Sequence, residues 1–104
     1  MKPVVIIESP YAGDTEANIQ YARECMLDSI KRGEAPFASH LLYTQCLDDT
    51  KPEERELGLE CAEMFYVNAD IVAVYVDRGI SEGMRRGMKL ANRLCIDIEE
   101  RRIK

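Results

Sequence analysis

No C-x-x-C pair occurs among the four cysteines, Cys25, Cys46, Cys61 and Cys95, so the sequence has neither a zinc-binding nor a dithiol redox pattern. No apolar run approaches the roughly 20 residues that a membrane-spanning helix needs. The N-terminal MKPVVIIESP reads as the start of a strand, without the apolar core or small-residue cleavage site of a secretory signal. These absences lead to the expectation of a cytoplasmic protein with no membrane partner and no bound metal or cofactor. Excess positive charge is missing too: 14 Lys and Arg stand against 19 Asp and Glu, a formal charge of −5. A nonspecific grip on nucleic acid depends on a Lys/Arg excess that neutralises phosphates, so no nucleic-acid polymer is expected and any anion must be held locally. The single histidine, His40, has no Ser or Cys at motif spacing that would make it the base of a triad. Internal repeats and low-complexity segments are also absent.

What is present is an ordinary globular composition, 46% hydrophobic and 32% charged over 104 residues, enough for one core and one domain, residues 1–104. The organising stretch is ADIVAVYVDRGISEGMRRGMKLA, Ala69 to Ala91. Ile71 to Val76 is a β-branched, continuously apolar run of strand length, the pattern of a strand covered on both faces. Asp77, Arg78 and Gly79 break it, and Ser81-Glu82-Gly83 opens a segment with Met84, Met88, Ala91 and Leu94 at helical spacing.

Upstream, Val4 to Ile7 predicts a first central strand that stops at the small, turn-rich loop Glu8 to Asp14. A helix capped by Asp14 or Thr15 follows, with Ala17, Tyr21, Ala22, Cys25, Met26 and Ile30 on its apolar face and Gly33 at its end. Ala35 to Phe37 is a weaker strand, and Ser39 to Leu47 a short helical or irregular segment. A second helix starts near Pro52 and runs to about Val67, with Leu57, Cys61, Met64 and Phe65 as its apolar face. Cys95 to Ile98 predicts a last short strand before a charged tail, Glu99 to Arg102. Three cysteines fall at or near apolar positions, so buried free thiols are expected. The alternation of strands and helices predicts an α/β, three-layer, mainly parallel sheet of Rossmann/flavodoxin-like type.

In such a sheet, ligands sit beyond the carboxyl ends of the strands. Around Gly79 to Met84 the strand-to-helix junction offers free N–H groups, the Ser81 hydroxyl and close backbone approach at Gly83, a geometry that fits a phosphate or a ribose hydroxyl; Ser81 serves equally well as a plain helix cap. In the first loop Ser9, Tyr11 and the backbone near Gly13 can contact a sugar phosphate, and Glu8 or Asp14 can accept from sugar hydroxyls, or Asp14 can simply cap. His40 follows the second strand and is expected at the same cleft. Asp77 and Arg78 sit beside it, whereas Arg85 and Arg86 suit a solvated helix face and Glu82 suits the dipole of the first turn.

The segments ESPYAGD, APFASHLLYTQ and VYVDRGISEGM, with Ala69-Asp70 opening the hydrophobic strand, resemble the nucleoside 2-deoxyribosyltransferase-like superfamily over nearly the whole chain. That superfamily includes the deoxynucleoside 5′-monophosphate N-glycosidases, and the likeness is greatest to its short phage and bacterial branch. The resemblance implies a homo-oligomer that binds a nucleotide or nucleoside, with Ser81 and Gly83 at the 5′-phosphate. It also implies a Glu nucleophile where this chain has Gly87. Either a carboxylate from elsewhere, Glu8, Asp14 or Glu82, replaces it in cleaving or transferring an N-glycosidic bond, or the protein binds a nucleotide-derived signal without turnover.

Overall fold

The apolar run Val5 to Ile7 is buried on both faces of the sheet, as a strand with a neighbour on each side must be. In the computed structural model, which describes residues 1–104, this strand is β1 (Val4–Glu8). It pairs in parallel with β2 (Ala35–Phe37) on one side and β3 (Ile71–Tyr75) on the other, and β4 (Asp97–Arg101) closes the far edge, giving the order β2-β1-β3-β4. All pairs are parallel, so every strand ends at the same edge. The chain leaves β1 toward β2 and returns to the opposite side at β3, which makes the gap between β1 and β3 the switch point where Rossmann/flavodoxin-like sheets open a crevice.

Helix α1 (Thr15–Lys31) packs on one face, where Tyr21 and Cys25 meet Val5, Ile7, Ala73 and Tyr75. Helix α3 (Glu82–Arg93) covers the other, with Met84 and Ala91 against Ile6, Val72 and Val74. Helix α2 (Pro52–Glu63) lies beside α3, clasped by Arg86, which donates to Glu56 (2.7 and 2.8 Å) and Glu63 (2.8 and 3.1 Å). The result is the expected three-layer α/β domain. No helix is long and apolar enough to cross a membrane.

Several expectations need correction. The charged tail is strand: β4 extends to Arg101, whose side chain is 2% exposed, because its charge is matched by Glu34 and Glu99. Helix α2 ends at Glu63, followed by a 3-10 turn at Tyr66–Asn68. The face of α2 foreseen as apolar, Leu57, Cys61, Met64 and Phe65, is solvent-exposed, and the packed face carries Gly58, Leu59 and Ala62. On α1 the buried line is Asn18, Tyr21, Ala22, Cys25 and Ser29, rotated so that Ile30 is exposed. Of the cysteines only Cys25 is buried.

Candidate functional site

Beyond the carboxyl ends of β1 and β2 a cleft runs between the first loop, the 3-10 turns at Ser39–Leu41 and Tyr43–Gln45, helix α2 and the start of α3. One wall is held from behind. Buried Asn18 donates to the carbonyls of Tyr11 (3.0 Å) and Ala12 (3.1 Å) and receives Arg78 Nε at 2.8 Å. Tyr11 is thereby fixed in a stack on His40, ring centroids 5.0 Å apart and 24° from parallel. Burial holds His40 below the usual imidazole range, so at neutral pH it presents an uncharged ring.

The cleft narrows inward. An open groove of about 430 Å³ between Tyr11, Gly13 and Asp49 leads past Tyr11 to a chamber of about 130 Å³ lined by His40, Arg55, Leu59, Ser81 and Gly83. From there His40, Leu59 and Gly83 continue into a pit of about 20 Å³ whose walls are Glu8, Tyr66 and Gly87.

The chamber has an anion-favouring side. Ser81 caps α3: its Oγ accepts from Met84 N at 3.3 Å, while Met84 Sδ receives Ser81 N–H at 3.3 Å. Because Oγ is the acceptor, its proton is free to be donated to a ligand. A Cβ at Gly83 would lie 3.5 Å from Arg55 Nη2, so the missing side chain leaves the guanidinium open toward the helix N-terminus. Helix dipole, hydroxyl and guanidinium converge there, with Asp49, 3.9 Å from Arg55 Nε, and Glu82 in the same lining.

The pit holds the opposite chemistry. Glu8 is the last residue of β1, and its position in the alternation points it to the α2–α3 face, where it is only 8% exposed. Its carboxyl has no hydrogen bond or ion pair within the chain; since every fully buried side-chain polar atom is hydrogen-bonded, the Glu8 oxygens must reach the pit. Burial, and then the charge of Glu63, raises its pKa well above the ordinary glutamate value. Arg86, the cation that could have neutralised it, is committed to Glu56 and Glu63. Gly87 makes the arrangement possible. A Cβ there would collide with Glu8 Oε2 and come within 2.5 Å of Tyr66 Oη, so only a glycine allows both groups to approach the helix backbone.

Residues 3–101 match the model of a family described as a domain of unknown function, DUF7768. The chain belongs to the DUF7768 family. No curated protein matches it. The matched span contains the whole cleft, from Glu8 to Gly87, so the site lies inside the DUF7768 domain.

Within this DUF7768 member, Glu8, Tyr11, Gly13, His40, Ser81, Glu82 and Gly83 all line the cleft. Others foreseen at the ligand lie elsewhere. Ser9 is 1% exposed beneath the loop, and Met84 is fully buried in the core. Asp14 caps α1 by accepting from Ala17 N at 3.3 Å. Asp77 accepts from Tyr21 Oη (2.6 Å) and from the backbone N–H groups of Ile103 and Lys104, which keeps its carboxyl low and anchors the C-terminal segment. Arg78 is spent on Asn18. Sequence reasoning missed Arg55, Leu59, Glu63 and Tyr66. Their signal was phase: Arg55, Gly58, Leu59, Ala62 and Tyr66 recur at helical spacing, but a stripe that starts with an arginine and contains a glycine and an alanine is easily passed over for the more apolar Leu57 row.

Proposed function

We propose that the cleft binds a nucleoside or nucleotide and that the protein cleaves or transfers its N-glycosidic bond. One observation carries this reading: a single cleft brings together Ser81, Gly83 and Arg55 at the α3 N-terminus and a buried carboxyl without a partner, Glu8, at the end of β1. A 5′-phosphate on the α3 N-terminus would point the sugar inward, and the Tyr11–His40 stack offers an uncharged aromatic surface for the base. Bond cleavage at an anomeric carbon develops positive charge on the sugar, which a carboxylate held in a low-dielectric site stabilises. The likeness of the Ser81–Gly83 segment to nucleoside 2-deoxyribosyltransferase-like proteins supports the ligand class. Glu8, pressed against Gly87, supplies a carboxyl next to the position where that resemblance implies a Glu.

Incubation with deoxynucleotides, cyclic dinucleotides and ADP-ribose derivatives, followed by chromatography of the supernatant and of the denatured protein, tests it. Release of free base that Glu8→Gln abolishes is expected. A tightly bound, intact nucleotide would instead establish the second reading, a sensor or sequestering protein, which Gly87, standing where the resemblance implies a nucleophilic Glu, favours. The absence of both free base and bound nucleotide would remove the nucleotide assignment. Homo-oligomerisation belongs to the same proposal, supported by the exposed row of Leu57, Cys61 and Met64 on α2; light scattering should give a mass above that of one chain, lowered by Leu57→Glu.

A further inference from the structure

Helix α2 carries one wall of the cleft, yet it is the least buried of the three α-helices. Of its 12 residues only Ala62 is buried, whereas α1 buries Tyr21, Ala22 and Cys25 among others and α3 buries Met84, Gly87 and Ala91. A surface helix ordinarily turns its apolar stripe to the core; on α2, Leu57 and Met64 stand 53% and 71% exposed. By helical phase Glu53 and Glu60 fall beside them, exposed and without an ion pair. The neighbouring helix shows the opposite charge. Arg85, Lys89 and Arg93 follow one another at four-residue steps along the outer groove of α3, all exposed and none in an ion pair. On a chain of charge −5 this row is a local excess of cations. The two rows also match in length: at a helical rise of 1.5 Å per residue, Glu53 to Glu60 spans roughly 10 Å and Arg85 to Arg93 roughly 12 Å.

We propose that a second copy of the chain covers α2, in a two-fold pairing that lays α2 of each protomer along α3 of the other, and that the α2 wall of the cleft is set only in this pair. This rests on the homo-oligomer reading above. A two-fold contact is made twice, so the acidic row of each protomer meets the basic row of its partner. The aliphatic stems of that basic row cover Leu57, Cys61 and Met64. Packing α2 on α2 would instead set acid against acid and α3 on α3 base against base, which like-charge repulsion opposes. An acidic peptide on α3 would leave the apolar row of α2 open. The consequence for the site comes from the inner face of the same helix, where Arg55 and Leu59 line the chamber. Within one chain the side-chain bonds that fasten α2, Arg86 to Glu56 and Glu63 and the Asp48 backbone to Glu54, are polar and at least partly exposed. A partner on the outer face fixes the helix, and with it the wall.

The test uses the full chain and three variants: Glu53→Lys with Glu60→Lys, Arg85→Glu with Lys89→Glu, and all four changes together. None of the four residues lines the cleft. Mass is read by light scattering over a range of concentrations and the state of α2 by amide hydrogen exchange. The parent is expected as a dimer, and each double variant should raise the dimer dissociation constant by at least about tenfold, since like charges then face each other. An equimolar mixture of the two double variants should pair again, as should the fourfold variant, a rescue that an unfolded chain would not show. The amides of α2 should exchange more slowly in every paired sample than in every monomeric one, with those of β1 unchanged. Double variants that pair like the parent, or a mixture that stays monomeric, would overturn the α2-on-α3 pairing and leave homo-oligomerisation standing. Equal exchange of α2 in paired and monomeric samples would overturn the claim that the second copy sets the wall. A parent chain that is monomeric at every concentration would overturn both the pairing and the homo-oligomer reading.

Discussion

Two charged side chains are buried in this domain, one on each face of the sheet, and their surroundings are opposites. Arg101, 4% exposed, donates through Nη1 and Nη2 to the two Glu34 oxygens at 2.7 Å each, through Nε to Glu99 at 2.9 Å, and to Tyr75 Oη at 3.2 Å. Ser29 Oγ braces Glu34, and Tyr75 in turn donates to Asp28 at 2.7 Å. Every lone pair and proton has somewhere to go. Glu8, 8% exposed, has nothing comparable, and the nearest cation has been drawn away by two other glutamates. A buried charge that is fully matched holds elements together; α1, the β2 entry and β4 are joined through Arg101. A buried carboxyl left without a partner does not stabilise the fold, so its presence at the end of a cleft is better explained by what it does to a ligand.

That contrast can be broken or sharpened by substitution. Arg101→Ala strands Glu34 and should cost about 3–5 kcal/mol, the usual penalty for removing one partner of a buried pair, measured by denaturant unfolding; a loss below 1 kcal/mol would mean that the network is not what ties β4 to α1. Gly87→Ala forces Glu8 and Tyr66 from the α3 backbone and should cost about 1–3 kcal/mol, the range of overpacking. Combining it with Glu8→Ala should recover part of that loss, and strict additivity in the double-mutant cycle would place the clash elsewhere. Ser81→Ala should cost about 1 kcal/mol as a lost cap and weaken nucleotide binding besides.

The smallest effect carries a sign. Glu8 holds its proton in the folded state at pH values where the unfolded chain has released it, so stability falls as pH rises above about 4.3, the unfolded glutamate value, until Glu8 itself ionises. Glu63, Tyr66, Arg86 and His40 are the groups that face it. Glu8→Gln should flatten that slope and be at least as stable as the parent at pH 8, checked by thermal unfolding across pH.

Much of this was legible in the chain. The runs Val4–Ile7 and Ile71–Val76 announce central strands because a strand covered on both faces needs apolar residues at every position, and the Ser81–Gly83 junction announces a helix start. β4 was legible only in part, since an edge strand can carry Asp-Ile-Glu-Glu-Arg, and the partner that makes Arg101 a core residue lies 67 positions away at Glu34. The orientation of α2 was hidden for a related reason. It packs through Gly58, Leu59 and Ala62 against a partly polar cleft, so its most apolar stripe is the outer one. Glu8 was visible as a carboxylate in the right loop, but its isolation depends on Arg86 being captured by Glu56 and Glu63, and on Gly87 being open, neither of which has a local signature.

The chemistry of the cleft turns on the state of the Glu8 carboxyl. Carbon-13 NMR titration of the Glu8 side chain in the full protein, assigned by its loss in Glu8→Gln, measures it. The midpoint should lie well above the ordinary glutamate range and should move when Glu63 is replaced by Gln. A midpoint at the ordinary value would mean that Glu8 is solvated or paired, and would contradict the site described here.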